Sequence, residues 1–228
     1  MSQNLTQKIR NDFDRVALYD QKGWDHNNHY HNFLLKQLPI QGKTALDIGC
    51  GTGEFSRLLA KRFDKVFAID LSPNMIAVAQ QRSRQFSNID FQVADVMDWE
   101  LPGEKFDVIV SIATLHHLPI ENLLPYLKAA LKSGGKLVFL DLLESENLRD
   151  RLSDVIAVPL NWLFQISKNT HHSPEMTDVM REHLLTDQYL TFSQARQLYT
   201  QLLRNAKVKK HLFWRYSMTW KKPGACQT

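Results

Sequence analysis

The stretch Thr44-Ala45-Leu46-Asp47-Ile48-Gly49-Cys50-Gly51-Thr52-Gly53-Glu54 runs from a short apolar strand through closely spaced glycines into a helix. A strand, a glycine loop and a helix in that order open a nucleotide-binding α/β sheet. Glycine allows unusual dihedrals there and lets a ligand approach the main chain. The spacing is GxGxG. A dinucleotide loop, GxGxxG, needs its last glycine where Glu54 stands. An acidic side chain beside a helix N-terminus repels pyrophosphate but tolerates a ligand that carries a sulfonium and an ammonium. Asp47, just before the loop, likewise suits a cationic amino-acid tail.

Outward from this loop, apolar strands alternate with helical patterns as far as Asp141, the signature of a parallel, doubly wound sheet. Residues 54–63 read as a helix with Phe55, Leu58, Leu59 and Phe63 on one face. Residues 66–69 form the second strand, which ends at Asp70. Ser72-Pro73 then supplies an N-cap followed by proline at the first helical position. That helix is expected to reach about Arg84, with Met75, Ile76 and Ala79 toward the sheet. Residues 89–93 form a third strand ending in Ala94-Asp95, and residues 106–110 a buried central strand with Ser111 at its end. Residues 121–131 read as a helix closed by Ser133-Gly134-Gly135, and residues 136–140 as a fifth strand ending at Asp141.

Beyond this core the pattern changes. Residues 144–206 show amphipathic helices with a polar break at 167–174; the last begins at Thr191-Phe192-Ser193-Gln194 and carries Leu198, Leu202 and Leu203 inward. Residues 144–190 read as a helical lid over the open end of the sheet, with further core helices as the alternative. Trp214, Tyr216, Met218 and Trp220 then alternate with Arg215, Ser217, Thr219 and Lys221, a period of two. With residues 207–213 they make a hairpin that closes the sheet and points its charges to water.

The 228 residues, 43 % apolar and 23 % charged, have an ordinary globular composition. No apolar run approaches the roughly 18 residues of a transmembrane helix. Residues 1–8 are polar and lack the apolar stretch of a signal peptide. Cys50 and Cys226 make no disulfide framework, so a reducing cytoplasm is expected. The net charge of +4 is uneven: no acidic residue follows Asp187, whereas Arg196, Arg204, Lys207, Lys209, Lys210, Arg215, Lys221 and Lys222 do. A basic end can mark a nucleic-acid or anionic-membrane surface. The alternation favours solvated charges protecting a sheet edge, and no stable nucleic-acid partner is expected.

The segments ALDIGCGTGEFSRLLA, VFAIDLSPNMI, FQVADVMDW and FDVIVSIATLHHL, in that order, resemble the class I S-adenosylmethionine-dependent methyltransferases. The resemblance covers residues 41–141 in detail, and the terminal alternation matches the reversed last strand of that fold in outline. It implies a single Rossmann-like domain with a mostly parallel seven-stranded sheet and S-adenosylmethionine as cofactor. Its expected parts are a helical cap at 1–40, a cofactor-binding core at 41–143, the lid at 144–190, and the last helix and strand hairpin at 191–222. It also implies that Asp70 binds ribose, with Leu71 beside it, and that Asp95 and Val96 hold adenine. Gly49 and Ser111 flank the methionine moiety; Asp47, Gly51 and Gly53 complete the expected cofactor set.

Methyl transfer to an apolar or amphipathic small molecule is the leading expectation, because the lid carries Trp162, Leu163, Phe164 and Ile166. The end of the fourth strand reads Ser111-Ile112-Ala113-Thr114, without the Asn/Asp-Pro-Pro-Tyr of base-modifying methyltransferases or paired glutamates of arginine methyltransferases. A nucleic-acid methyltransferase and a non-catalytic cofactor-binding protein are the alternatives. On the acceptor side, Tyr19, Trp24 and His29 lie in an N-terminal segment that resembles the ubiquinone/menaquinone-biosynthesis methyltransferases, and His171 lies in the lid. His116 and His117 are candidate bases for an acceptor that must lose a proton. Histidines 26, 29 and 31 lack fixed ligand spacing or an accompanying cysteine or carboxylate set, so no metal is expected.

Overall fold

The central strands are buried on both faces, and their alternate side chains feed two separate cores. Leu46 and Ile48 point to one face, where they join Ile109, Leu123, Leu127 and Tyr199. Ala45 points to the other, with Leu34, Phe55, Leu59, Val66, Val108 and Val110. The computed structural model describes residues 3–19, 27–146, 187 and 189–224. Its strands are β1 (Gly42–Ile48), β2 (Phe63–Asp70), β3 (Ile89–Val93), β4 (Phe106–Ile112), β5 (Leu131–Leu142), β6 (Lys207–His211) and β7 (Arg215–Lys221). They form one sheet in the order β3-β2-β1-β4-β5-β7-β6. The first five are parallel, and β7 runs antiparallel between β5 and β6. This is the seven-stranded Rossmann-like sheet with a reversed last strand. Strand order reverses between β1 and β4, so the binding crevice lies beyond their carboxyl ends.

The helices are α1 (Gln3–Val16), α2 (His31–Gln37), α3 (Glu54–Leu59), α4 (Pro73–Arg82), α5 (Ile120–Ala130) and α6 (Phe192–Leu202). Ser72 caps α4 as its sequence predicts, its Oγ accepting from Met75 N at 3.0 Å. Thr191 and Gln194 form a reciprocal capping box at the start of α6. The elements depart from expectation at three places. Helix α3 stops at Leu59, and Phe63 opens β2 instead of ending the helix. Helix α6 brings Leu203 into the core fully buried and packs Leu198 and Leu202 against it partly buried, but its most buried helical positions are Ala195 and Tyr199, which the sequence did not single out.

The third difference is at β5. Helix α5 passes straight into the strand at Leu131, and Ser133-Gly134-Gly135 lies inside β5 rather than ending the helix. The pairing with β4 jumps from Phe106–Leu131 to Val108–Lys136, so residues 132–135 bulge out of the ladder. Gly134 has φ +77°, a left-handed conformation that favours glycine.

The hairpin also departs from a simple in-and-out reading. β6 forms the edge, β7 is paired on both sides, and both of its faces are packed over, so Arg215 and Ser217 are buried with Tyr216 and Met218. The exposed charges are Lys207, Lys209 and Lys210 on edge strand β6, where they block further pairing. Most of the expected lid, including Trp162, Leu163, Phe164, Ile166, His171 and His172, lies outside the described residues, as do Trp24 and His26. Among the described residues no helix is long and apolar enough to cross a membrane.

The bulge makes a steric demand at Gly135. A Cβ there would sit 2.8 Å from Leu131 Cγ, 2.9 Å from Lys132 O and 3.0 Å from Asp107 O. Gly135→Ala is expected to cost about 1–3 kcal/mol in urea denaturation. Gly103→Ala, where a Cβ meets open space, should stay within about 0.5 kcal/mol of the parent.

Candidate functional site

The glycine loop is held against the tip of β2. Gly49 N and Cys50 N both donate to the carbonyl of Ile69, at 2.9 and 3.0 Å. Gly49, Gly51 and Gly53 have φ of +70°, +52° and +74°. A Cβ on Gly49 would run into Thr114, and one on Gly53 would lie 2.9 Å from Phe91 Cζ. Gly51 has nothing within 4 Å of that position and borders a cavity of about 350 Å³. Gly53 does not border it; its constraint is packing against Phe91 and Ala79.

Four elements aim carboxylates or amides at this cavity. Asp47 sits on β1 at 2 % exposure and accepts from Ser56 Oγ at 2.6 Å. Burial pushes its carboxyl up to about 7, against the Ser56 hydrogen bond and helped by the charge of Asp70. Asp70, at the end of β2, accepts from Gly51 N at 2.8 Å and Ser72 N at 2.9 Å. Burial raises its pKa above the usual carboxylate range despite those bonds. Leu71, Asp95 and Val96 border the same space, and Asp95 accepts from Met97 N at 2.9 Å. Burial, reinforced by Asp70 and Asp47, pushes the Cys50 thiol up, which keeps it unreactive.

Ser111 is not on this wall. It is fully buried and its hydroxyl donates to Ile48 O at 2.9 Å, while Ile112, Ala113 and Thr114 border the cavity in its place. Opposite the strand tips, Ile9, Phe13 and Val16 of α1 form an apolar cover. Asp14 fastens that helix to α4: its carboxylate accepts from Ser72 Oγ and from Asn74 N at 3.1 Å.

The expected acceptor residues are placed unevenly. Tyr19 follows α1 and does not border the cavity. His29 packs on Tyr30 and Phe213, with ring centroids 4.8 and 5.4 Å away, and burial holds its pKa below the usual imidazole value. His31, from the same N-terminal segment, does border the cavity, as does Asn27, which the sequence did not single out. The two candidate bases are also distinguished. His117 faces the cavity with Phe13 against it, ring centroids 6.0 Å apart. His116 lies behind, its Nδ1 2.6 Å from Asp141 Oδ1. Asp187 approaches both rings, and Tyr189 OH donates to it at 2.8 Å.

Residues 45–135 match the family described as "Methyltransferase domain". Among curated relatives, the chain is 46 % identical over 101 residues to a malonyl-[acyl-carrier protein] O-methyltransferase of Paenibacillus, covering 41 % of this chain and 37 % of that protein. It is 34 % identical over 109 residues to a ubiquinone biosynthesis O-methyltransferase of Coxiella burnetii, 47 % of each chain. These two matches thus span less than half the length of the relatives. An uncharacterized methyltransferase of Mycobacterium bovis is 29 % identical over 211 residues, 88 % of this chain and 98 % of that one. In fold, the chain is similar to the structure "DhpI-SAM-HEP complex", with a TM-score of 0.65, 19 % identity, and coverage of 96 % and 99 %. Residues 45–135 thus carry a methyltransferase domain, whose cofactor is S-adenosylmethionine, on the fold of the class I methyltransferases. The site fits that cofactor: Gly51 leaves open the space its ligand must enter, and the buried carboxylates suit its positive charges.

The raised pKa of Asp47 has a thermodynamic consequence. A carboxyl that is harder to ionise when folded than when unfolded supports the fold fully below its unfolded pKa, and that support is lost as pH rises through about 7. Asp47→Asn removes the ionisation. Without cofactor, its melting temperature relative to the parent should climb as pH is raised from 5 to about 8, read by thermal melts across that range. A constant difference would contradict the assignment.

Proposed function

We propose that the chain transfers a methyl group from S-adenosylmethionine to an apolar or amphipathic small molecule. The observation that carries this reading is the charge of the cavity. Asp47, Glu54, Asp70 and Asp95 border it, and among the described residues no lysine or arginine does. Such a wall disfavours a phosphate-bearing cofactor and suits a sulfonium with an amino-acid ammonium. In this reading Asp47 faces the ammonium end. Asp70 uses the lone pairs left by Gly51 N and Ser72 N for the ribose hydroxyls, and Asp95 with the Val96 amide takes the adenine.

The sulfonium supplies an activated methyl carbon, so the protein's part is to align the acceptor and exclude water. Ile9, Phe13, Val16, Met75 and Leu118 give the rest of the cavity an apolar lining, which favours an acceptor with an apolar body. The names of the Paenibacillus and Coxiella relatives, both O-methyltransferases, agree with an oxygen acceptor. Where the acceptor must lose a proton, His117 is the one of the two candidate bases that lies on the wall and can take it, and His116 is its neighbour rather than a second base. The lysines of β6 lie at the far edge of the sheet from the β1–β4 tips, which argues against a nucleic-acid track into the site.

Incubating the protein with isotopically labelled S-adenosylmethionine and a metabolite extract should yield a labelled small molecule. Label found only in RNA would favour the nucleic-acid reading, and no labelled product in any fraction would favour a binding protein. Asp70→Asn should weaken S-adenosylhomocysteine by on the order of 100-fold in calorimetry, since it removes charge-assisted hydrogen bonds. Unchanged affinity would overturn its ribose role. With an acceptor in hand, His117→Ala should lower turnover while leaving cofactor affinity intact.

A further inference from the structure

We propose that His116, His117 and Asp187 form a binding site for a zinc ion beside the cofactor cavity. The proposal stands on this cluster alone and is independent of the methyl-transfer reading.

The first support is spacing. Asp187 Oδ1 lies 3.5 Å from His117 Nδ1, and Asp187 Oδ2 lies 3.7 Å from His116 Nε2. One ligand atom from each residue falls within 4.8 Å of the others. The two carboxylate distances exceed the 2.7–3.2 Å of ordinary nitrogen–oxygen hydrogen bonds. They are close to the spacing of co-ligands: bonds of about 2.0–2.2 Å to a tetrahedral zinc set ligand atoms roughly 3.3 Å apart. A modest contraction would bring the three onto one ion.

The second support is orientation. His116 Nδ1 is held at 2.6 Å by Asp141, itself 1 % exposed, which turns Nε2 toward Asp187. A carboxylate on one imidazole nitrogen and a metal on the other is the arrangement that fixes histidine ligands. Asp187 is fixed in turn by Tyr189 OH at 2.8 Å. The ligand side chains are 5–8 % exposed, so few competing waters reach them.

The donor set selects the ion. Two imidazoles and one carboxylate suit zinc or a neighbouring late first-row ion, whereas magnesium and calcium take oxygen. Three protein ligands leave a coordination position open. The ion would also join distant parts of the chain: the turn after β4 carries both histidines, and Asp187 precedes α6. Coordination through Nδ1 leaves the His117 ring with its proton on Nε2. The ring then offers the cavity a donor, so the base role above belongs to the ion-free protein.

The test uses the full chain, free of any affinity tag and stripped with a chelator. It is titrated with zinc chloride against a chromophoric competitor, and separately with cobalt(II) chloride followed by visible absorption. The expected result is saturable uptake of one equivalent and intense cobalt bands of a low-coordinate site. Asp187→Asn and His116→Gln should each remove those bands and weaken zinc at least about 10-fold, and Asp141→Asn should weaken it by about 10–100-fold. Binding of S-adenosylhomocysteine checks that each variant is folded and separates failure here from failure of the methyl-transfer reading. If a variant does not fold, X-ray absorption of the zinc-loaded parent decides, with two imidazoles in the first shell expected. No saturable uptake, a first shell lacking two imidazoles, or a folded Asp187→Asn that binds as the parent does would overturn the proposal.

Discussion

The paired hydrogen bonds from Gly49 and Cys50 to the carbonyl of Ile69 position the groups around the cavity. They are possible because β1 and β2 are parallel and in register, Ile48 beside Ile69. With the loop fastened there, Gly51 N reaches Asp70, and Asp70 reaches Ser72 N. Ser72 caps α4 and donates to Asp14, which brings α1 over the opening. A single run of hydrogen bonds therefore extends from the tip of the first strand to the helix that covers the site.

That run concentrates negative charge where, among the described residues, no lysine or arginine borders the cavity. Burial raises the cost of ionising both Asp47 and Asp70, and the charge of Asp70 adds to it at Asp47 as that of Asp14 does at Asp70. A protein selected for stability alone would place apolar side chains at these tips. A cationic ligand reverses the balance, because it favours the ionised carboxylates and binds the folded chain only. In the function proposed above, the same residues weaken the empty protein and tighten the loaded one.

Much of the cofactor half was legible in the sequence because its signals are local. Asp47, the glycines, Asp70 with the Ser72-Pro73 cap, and Asp95 each follow a strand end that hydrophobic pattern alone locates. Where the reading failed, pairing partners decided. Ser111 turns inward because its alternate neighbours Ile112 and Val110 face the other way, and strand pleat is not fixed by the residue's polarity. Arg215 is buried where its guanidinium donates to Asn27 Oδ1 and Phe213 O, and the first of these partners lies far away in sequence. The β5 bulge mimicked a helix stop, since the same glycines serve both. Asp187 gave no signal at all: its relation to His116 exists only across the folded chain.

This division follows from how open α/β sheets are built. Strand tips carry the cofactor contacts, and each tip is coded within a few residues of its strand. The rest of the cavity wall is assembled from α1, from Asn27 and His31, and from the turn that holds His117, segments with no shared period. His117 is the point where the two halves meet, bordering the cavity on one side and Asp187 on the other. Its chemistry is therefore set by groups outside the cofactor motifs. The same cofactor core can serve different acceptors when those outer segments change, so in the function proposed above the methyl donor is readable from the strand tips, while acceptor selection would rest on α1, residues 27–31 and the His117 wall.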